Sequence, residues 1–471
     1  MDPNGDRHMS QQTQSTTLYD TDTSPQRCRD LFTSGSIPVA VYGLGKMGLP
    51  LAAALAEATG NVTGVDIDQG VVDAIRAGDC PVDHEPGLDS MVARLTEEDA
   101  LAATTDGVGA ASGASVHVLI VPTVVRADGS VDLSALEGAV KTVAAGLGSG
   151  DLVLVESTVP PRTTAEVIEP TLAAESGLDP AEFGLAFCPE RTSSGRALQD
   201  IRGAYPKVVG GVDDASRAAA TVVYEALTTN DVVPVSDATT AECVKVFEGV
   251  YRDVNIALAN ELATLADELG IDVGEAIDVA NGQPYCDIHT PGPGVGGHCI
   301  PYYPYFLISE CQTETPLLRT ARTVNDDMAT YVVERLDAEL AATGVDLEDA
   351  RVALLGVTYR PGIDETRASP ARRIDSALSQ RGTTTFAIDP VCSDMSPFSA
   401  TQASLADLPE LDLDAVVLVT AHDAFDGIDW ERLSDITIFD TRRTLEFTES
   451  SHRVRELGRG NDRSHVHLRE D

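Results

Sequence analysis

Ile37-Pro38-Val39-Ala40-Val41-Tyr42 runs directly into Gly43-Leu44-Gly45-Lys46-Met47-Gly48, and this junction restricts the fold more than any other stretch of the chain. The largely apolar first half predicts a short buried strand. The glycines at that spacing make a tight turn, and the alanine- and leucine-rich residues 49–58 predict a helix opened by it. Val62-Thr63-Gly64-Val65-Asp66 then reads as a second strand ending in an acid, about twenty residues further on. Each part suits a dinucleotide: the glycines let backbone approach a pyrophosphate, the helix N-terminus favours its charge, and the carboxylate accepts from the adenosine ribose hydroxyls. The glycine spacing alone is weak evidence, since a tight strand-to-helix turn needs no ligand. Flanked by strand, helix and acid, it predicts dinucleotide binding, and Asp66 in place of an arginine favours NAD over NADP.

The pattern continues. Val116-His117-Val118-Leu119-Ile120-Val121 predicts a strand entering Pro122-Thr123, and Leu152-Val153-Leu154-Val155-Glu156 another entering Ser157-Thr158-Val159-Pro160-Pro161. Both end in hydroxyl-bearing, proline-stiffened turns at the carboxyl edge of a parallel sheet, where such sheets bind ligands, although taken alone each is more often a helix cap. Phe187-Cys188-Pro189-Glu190-Arg191 closes this domain with a carboxylate beside a guanidinium. From 215 to 269 the periodicity turns helical without strands, and 240–269 is its longest amphipathic run. Lys245, Glu248, Arg252 and Asn255 share one face of that run, which is either a solvated charged face or a ligand face on a helix that bridges domains and pairs with its copy.

Gly292-Pro293-Gly294-Val295-Gly296-Gly297-His298-Cys299-Ile300-Pro301 follows. So many glycines and prolines exclude a helix interior or a central strand. The segment is a shaped loop presenting Cys299, which by itself is either a nucleophile within reach of a ligand carbon or an inert thiol beside a turn. After a helix over 316–342, Val352-Ala353-Leu354-Leu355-Gly356, Thr384-Thr385-Phe386-Ala387-Ile388-Asp389, Ala415-Val416-Val417-Leu418-Val419-Thr420 and Ile436-Thr437-Ile438-Phe439-Asp440 predict a second parallel sheet. Its first loop, Thr358-Tyr359-Arg360-Pro361-Gly362, lacks the dinucleotide glycines but can hold another phosphate through Arg360. The expected architecture is α/β: two Rossmann-like doubly wound parallel sheets, over 36–212 and 316–449, joined by a central helical domain over 213–315 that carries one long helix and the cysteine loop. Residues 1–35 are polar without apolar periodicity and read as a disordered tail, and residues 450–471 as a charged, frayed one.

With 471 residues the chain exceeds one core, as this division requires. Its 75 acidic against 33 basic residues give a formal charge of −42, which disfavours nucleic acid and acidic membrane surfaces as partners. Lysine occurs only at Lys46, Lys141, Lys207 and Lys245. An acid-rich, lysine-poor balance of this kind fits a high-salt cytoplasm, where screening relieves self-repulsion, and it makes each remaining lysine informative. Eight cysteines without a C-x-x-C pair suggest neither a zinc site nor a disulfide scaffold. With no apolar signal segment and no apolar run of spanning length, a soluble cytoplasmic protein is expected.

The order of parts, from the dinucleotide loop through Glu156-Ser157-Thr158-Val159-Pro160-Pro161, Cys188-Pro189-Glu190-Arg191, a lysine-bearing long helix and the cysteine loop to a second nucleotide-type sheet, resembles the UDP-glucose/GDP-mannose dehydrogenase family from about Ile37 to Leu445. Tyr251-Arg252-Asp253-Val254-Asn255-Ile256-Ala257 and Gly294-Val295-Gly296-Gly297-His298-Cys299 look most like its UDP-N-acetylmannosamine dehydrogenase branch. The resemblance implies oxidation of a UDP-sugar at C6 from alcohol to carboxylate with two NAD, in a homodimer serving polysaccharide biosynthesis. It implies Cys299, Lys245 and Glu190 as catalytic residues: a thiolate that captures the aldehyde, an ammonium that steadies the alkoxide, and a carboxylate that assists water. Gly43, Leu44, Gly45, Met47, Gly48, Asp66, Thr123 and Thr158 are implied for NAD, and Arg191, Thr192, Arg252, Gly296, Tyr359 and Arg360 for the UDP-sugar, with no metal. UDP-glucose or UDP-N-acetylglucosamine as substrate, a two-electron alcohol dehydrogenase, and a non-catalytic binding homologue stand as alternatives. Five positions depart from the pattern: Tyr303 replaces an aspartate four residues after the cysteine, Gly249 an asparagine four after the lysine, Tyr285 an arginine that reaches a neighbouring subunit, Arg360 a phosphate-binding lysine and Val71 an arginine near the ribose. The first two remove a carboxylate and an amide from around the reacting oxygen, leaving Glu190, Glu248 and His298 as groups that can activate water.

Overall fold

The computed structural model describes residues 17–447, apart from positions 22, 127 and 194, together with residues 451–460. The chain divides into two compact units, one ending at Lys245 and the other beginning at Val246.

The first unit is built on β1 (Val39–Tyr42), β2 (Val62–Val65), β3 (Leu101–Thr104), β4 (Val116–Leu119), β5 (Leu152–Val155), β6 (Gly184–Phe187), β7 (Lys207–Gly211) and β8 (Val232–Pro234), in the order β8-β7-β6-β5-β4-β1-β2-β3. Strands β1, β4, β5 and β6 are buried along their whole length, which is why they read as nearly unbroken apolar runs rather than alternating ones. Alternate residues serve opposite faces: Val39 and Val41 enter one core, Ala40 and Tyr42 the other, so helices cover both sides. The run β3-β2-β1-β4-β5-β6 is the strand order of dinucleotide-binding sheets, with its topological switch between β1 and β4. All neighbours are parallel except β6 and β7, which pair antiparallel through Ala186 and Gly211.

Two expectations fail in this unit. Residues 215–269 are not free of strands, because Val232–Pro234 adds β8 to the edge of the sheet; an apolar run of three residues that ends in proline is too short to read as a strand. Nor is all of 1–35 a disordered tail. Pro25–Thr33 is a helix capped by Ser24, which accepts from the Arg27 N–H, and its Cys28 and Phe32 are buried in the first core together with Leu18. Polar neighbours hid that stripe, and residues 1–16 lie outside the described residues.

The long helix, Ala238–Thr264, carries the chain into the second unit, and a break at Leu265 separates it from the short helix Ala266–Leu269. The second sheet comprises β9 (Arg351–Leu355), β10 (Thr384–Ile388), β11 (Thr401–Gln402), β12 (Ala415–Leu418), β13 (Thr437–Asp440) and β14 (Arg453–Glu456). Its order, β11-β10-β9-β12-β13-β14, repeats the plan of the first sheet, and every pair is parallel. Val352 and Leu354 face one core, which the helix Pro316–Ala341 covers with Val332, Val333, Leu336 and Leu340; Ala353 and Leu355 face the other. The expectation of a frayed tail beyond 450 fails for β14, whose buried Arg455 is held by Asp267 and Glu339 while Val454 packs against one core and Leu457, just after it, enters the other. Charge pairs do there what periodicity could not announce. Among the described residues no helix is long and apolar enough to cross a membrane.

Candidate active site

In the first unit the turn after β1 is fixed by steric need. Gly43 has φ +98°, and a Cβ on it would stand 2.4 Å from the Ile120 carbonyl oxygen; a Cβ on Gly48 would stand 1.9 Å from that of Gly43. Gly45 differs, since nothing lies within 4 Å of the place its Cβ would take, so its backbone faces open space. Asp66 accepts from the Leu44 N–H at 2.8 Å on one carboxylate oxygen and from the Asp68 N–H at 3.0 Å on the other, which leaves each oxygen a lone pair for a hydroxyl. The helix Gly48–Thr59 starts without a side-chain cap; its Leu49 N–H donates to the Gly45 carbonyl at 3.0 Å and Pro50 has none to offer. An open glycine, an uncapped helix start and a half-satisfied acid fit a dinucleotide: Gly43, Leu44, Gly45, Met47 and Gly48 would hold its pyrophosphate and Asp66 its ribose.

Around this turn the other loops interlock. Ser157 both donates to the Val121 carbonyl and accepts from the Val121 N–H, each at 2.8 Å, and Thr123 donates to the Thr158 carbonyl at 2.7 Å, so the two proline-stiffened turns are one framework. Thr192 donates its hydroxyl to the Met47 sulfur at 3.3 Å and its N–H to the Glu190 carboxylate. Lys245 donates to the Glu190 carbonyl and is nearly buried. Arg191 turns its guanidinium to the Pro206 carbonyl.

Beneath this loop lies a buried group that sequence reading assigned no part. Lys207 donates to the Glu156 carboxylate at 2.9 Å and to the Pro189 carbonyl at 3.2 Å, and its ammonium sits 4.3 Å from the centre of the Tyr224 ring. Tyr224 donates to the other Glu156 oxygen. Burial pushes the Glu156 carboxyl up, while Lys207 and Tyr224 pull against it. The available signal was the scarcity of lysine, which marked Lys207 without saying what it held.

In the second unit each glycine of the cysteine loop has a steric reason. A Cβ on Gly292 would lie 2.7 Å from Nη1 of Arg442, Gly294 and Gly297 have φ +134° and +93°, and Cβ atoms on Gly296 and Gly297 would stand 2.8 and 2.9 Å from atoms of Tyr359. The Gly292 N–H donates to Asn260 at 2.8 Å and that of Gly297 to the Arg367 carbonyl at 3.0 Å. Cys299 then stands exposed as a free thiol, with its carbonyl accepting from the N–H groups of Tyr302 and Tyr303, both at 3.0 Å. His298 meets Glu365 at 3.2 Å, and its ring lies edge-on to Tyr359, whose hydroxyl burial pushes up in pKa.

Behind the loop, Asp253, Asn260, Arg322 and Asn325 form a buried polar network: Arg322 donates to Asp253 at 2.5 Å, and Asn325 receives from Asn260 and donates to Asp253, both at 2.9 Å. Asn255, placed by periodicity on the charged face of the long helix, instead clamps the loop before the cysteine by accepting from the His289 N–H at 2.8 Å. Arg252 is exposed and joins neither hydrogen-bonded group among the described residues. Arg442, passed over in the sequence, stands at the carboxyl edge of the second sheet and donates to the Val419 carbonyl at 2.7 Å, near the loop that carries Thr358 and Arg360. Glu190, Thr192, Met47 and Lys245 are thus gathered in the first unit, and Gly296, Cys299 and Tyr359 in the second. Among the described residues no His, Cys, Asp and Glu are grouped to hold a metal ion.

Models of the UDP-glucose/GDP-mannose dehydrogenase family match residues 37–228 as its NAD binding domain, 239–327 as its central domain and 353–447 as its UDP binding domain. The UDP-N-acetyl-D-mannosamine dehydrogenase of Pyrococcus horikoshii is 35% identical over 90% of this chain and 99% of its own length, and that of Methanococcus maripaludis 33% identical over 90% and 97%. A solved structure of the Pyrococcus horikoshii UDP-D-ManNAc dehydrogenase superposes with a TM-score of 0.83 at 34% identity, covering 90% of this chain and all of that one. The NDP-N-acetyl-D-galactosaminuronic acid dehydrogenase of Methanosarcina mazei superposes with a TM-score of 0.80 at 27% identity, over 93% and 99%. The chain belongs to the UDP-glucose/GDP-mannose dehydrogenase family, with that family's NAD-binding, central and UDP-binding domains in order.

Proposed function

We propose that this protein oxidises UDP-N-acetyl-D-mannosamine at C6 to the uronic acid, in two successive two-electron steps at one site. The observation that carries the reading is an exposed thiol, Cys299, presented by a loop in which Gly294 and Gly297 take positive φ and Gly296 and Gly297 lie against Tyr359. The choice of sugar rests on relatives of that name matching nearly the whole chain. NAD, held by the glycine turn, Asp66, Thr123 and Thr158, supplies the acceptor for a hydride in each oxidation.

Loss of the first hydride from C6 and of the hydroxyl proton leaves an aldehyde, which is a poor hydride donor until a nucleophile adds to it. Cys299 as thiolate forms a C–S bond to that carbon, and the carbonyl electron pair moves to oxygen as the alkoxide of a thiohemiacetal. Lys245 steadies that charge through its ammonium, and again when the alkoxide collapses with loss of the second hydride to give a thioester. Water, assisted by the Glu190 carboxylate, adds to the thioester; the C–S bond breaks, the thiolate returns and the carboxylate is released. Arg191, Thr192, Arg252, Gly296, Tyr359 and Arg360 hold the UDP-sugar, with guanidinium forks suited to phosphate.

NADH yield per UDP-sugar, measured in molar KCl, tests the reading. Two NADH per UDP-N-acetylmannosamine are expected; one would indicate a two-electron alcohol dehydrogenase, and none with any UDP-sugar a binding homologue. The active form is a homodimer paired along the long helix, where Phe247, Tyr251 and Leu258 leave 55, 51 and 49% of their surface exposed at spacings of about one and two turns. Light scattering that gave a monomer at micromolar concentration and working salt would remove that part. The acidic surface suits a cytoplasm rich in salt, so stability should rise with KCl.

A further inference from the structure

Gly249 stands inside the long helix, where glycine is unfavourable, and it is buried. A Cβ there would lie 2.1 Å from Cδ2 of Tyr303, 2.9 Å from its Cγ and 3.0 Å from its Cβ. The contact therefore runs from the root of the tyrosine side chain onto its ring, and no rotation about χ2 alone would relieve it. Tyr303 is only 7% exposed, and its ring lies tilted against Phe306 at 5.7 Å between centres. The Tyr303 N–H donates to the Cys299 carbonyl at 3.0 Å, and Tyr303 opens the helix Tyr303–Ile308. One residue thus has its backbone tied to the cysteine turn and its side chain seated on bare helix backbone. Lys245 lies one turn before Gly249 on the same helix, so the seat shares a face with the amine.

From this geometry we infer that Tyr303 and Gly249 are a single positioning pair that sets how close the Cys299 turn comes to the long helix, and so the reach of the thiol. The inference rests on the role proposed for Cys299. The two positions at which the sequence departs from the family pattern are thus in contact with each other. Neither residue is assigned contact with the substrate; both act through Cys299.

A double-mutant cycle tests this in the full-length chain, with Gly249→Asn, Tyr303→Asp and the pair together. To reach the 3.4 Å at which ordinary contact begins, the Tyr303 ring must retreat by about 1.3 Å from any side chain at 249. A displacement of that size lowers kcat by about 100-fold, with little change in KM or in NAD affinity. The double variant, in which amide and carboxylate can hydrogen-bond, is expected to recover at least about tenfold over the poorer single. Alkylation of Cys299 by iodoacetamide, read on its own peptide by mass, should follow the same order, and a merely structural role would leave the rate per folded molecule unchanged. Should Gly249→Asn fail to fold, Gly249→Ala adds one carbon at the same point, and recovery of folding by Tyr303→Asp beside Gly249→Asn supports the seat. Additive losses, or wild-type kcat and alkylation in both Gly249 variants, overturn the pair. If no UDP-sugar yields NADH with the wild type, the proposed function falls, while the alkylation rates, which need no substrate, still decide the pair.

Discussion

Glu242 offers a test that needs no substrate. It lies on the second turn of the long helix with no exposed surface, and it accepts from the Arg162 N–H at 2.5 Å, the Thr164 N–H at 2.7 Å and the Thr164 hydroxyl at 2.5 Å. It thereby joins the helix that carries Lys245 to the turn that follows Pro160 and Pro161. Burial pushes its carboxyl from 4.5 up to about 7, helped by nearby Asp237 and opposed by the three donors. Because the folded value is the higher one, the folded protein keeps a proton that the unfolded chain releases, so stability falls as pH rises through this window. The contribution is intact below pH 4.5 and fully lost above 7. At about 1.4 kcal/mol for each pH unit between those values, the loss is about 3 kcal/mol. Glu242→Gln removes the titration. Urea unfolding followed by circular dichroism at constant molar KCl should show the variant gaining on the wild type by about 3 kcal/mol between pH 4.5 and 8. A difference that stayed flat, or that favoured the wild type as pH rose, would mean that the donors outweigh burial, and the reasoning would be refuted.

The remaining predictions concern the reaction. Cys299→Ser should keep NAD binding yet lower overall turnover by at least about 1,000-fold, since a hydroxyl is a far poorer nucleophile than a thiolate, with at most one NADH per sugar in the first turnover; uronic acid formed at near wild-type rate would reduce Cys299 to an exposed bystander. Lys245→Ala should slow both oxidations by about 100-fold or more, because both pass charge through the same oxygen, and single-turnover kinetics that showed only one of them affected would dismiss its assigned role. Asp66→Ala should weaken NAD binding by about 10- to 100-fold in calorimetry, through lost hydrogen bonds to a charged group, while leaving UDP binding untouched.

What could be read in the sequence was whatever one residue type announces by itself. Parallel strands such as Leu152–Val155 are buried on both faces, so their apolar runs are plain, and glycine turns stand out because other residues cannot replace them. The features that escaped are pairwise. Phe32 and Cys28 bury a helix of a polar stretch in a core whose other residues come from far along the chain, Arg455 enters β14 against the distant Asp267 and Glu339, and Lys207 holds Glu156 from 51 residues away. Gly249 looked like a lost amide until the ring that fills its place was known.

The two sheets make the same point about function, for they share a strand order and each ends its second strand in an acid, Asp66 after β2 and Asp389 after β10. Each acid accepts from the backbone after the first strand of its sheet, Leu44 N–H at 2.8 Å and Val357 N–H at 2.7 Å. Asp389 also accepts from the N–H groups of Thr358, Val391 and Cys392 and meets His422 at 3.1 Å. Burial alone would raise its pKa, but His422 and these donors outweigh it and hold the carboxyl well below its usual range. A carboxylate so fully engaged has little capacity left for ribose hydroxyls, whereas Asp66 has two N–H partners and lone pairs to spare. Open lone pairs, rather than the presence of the acid, therefore distinguish the sheet suited to NAD from its near copy.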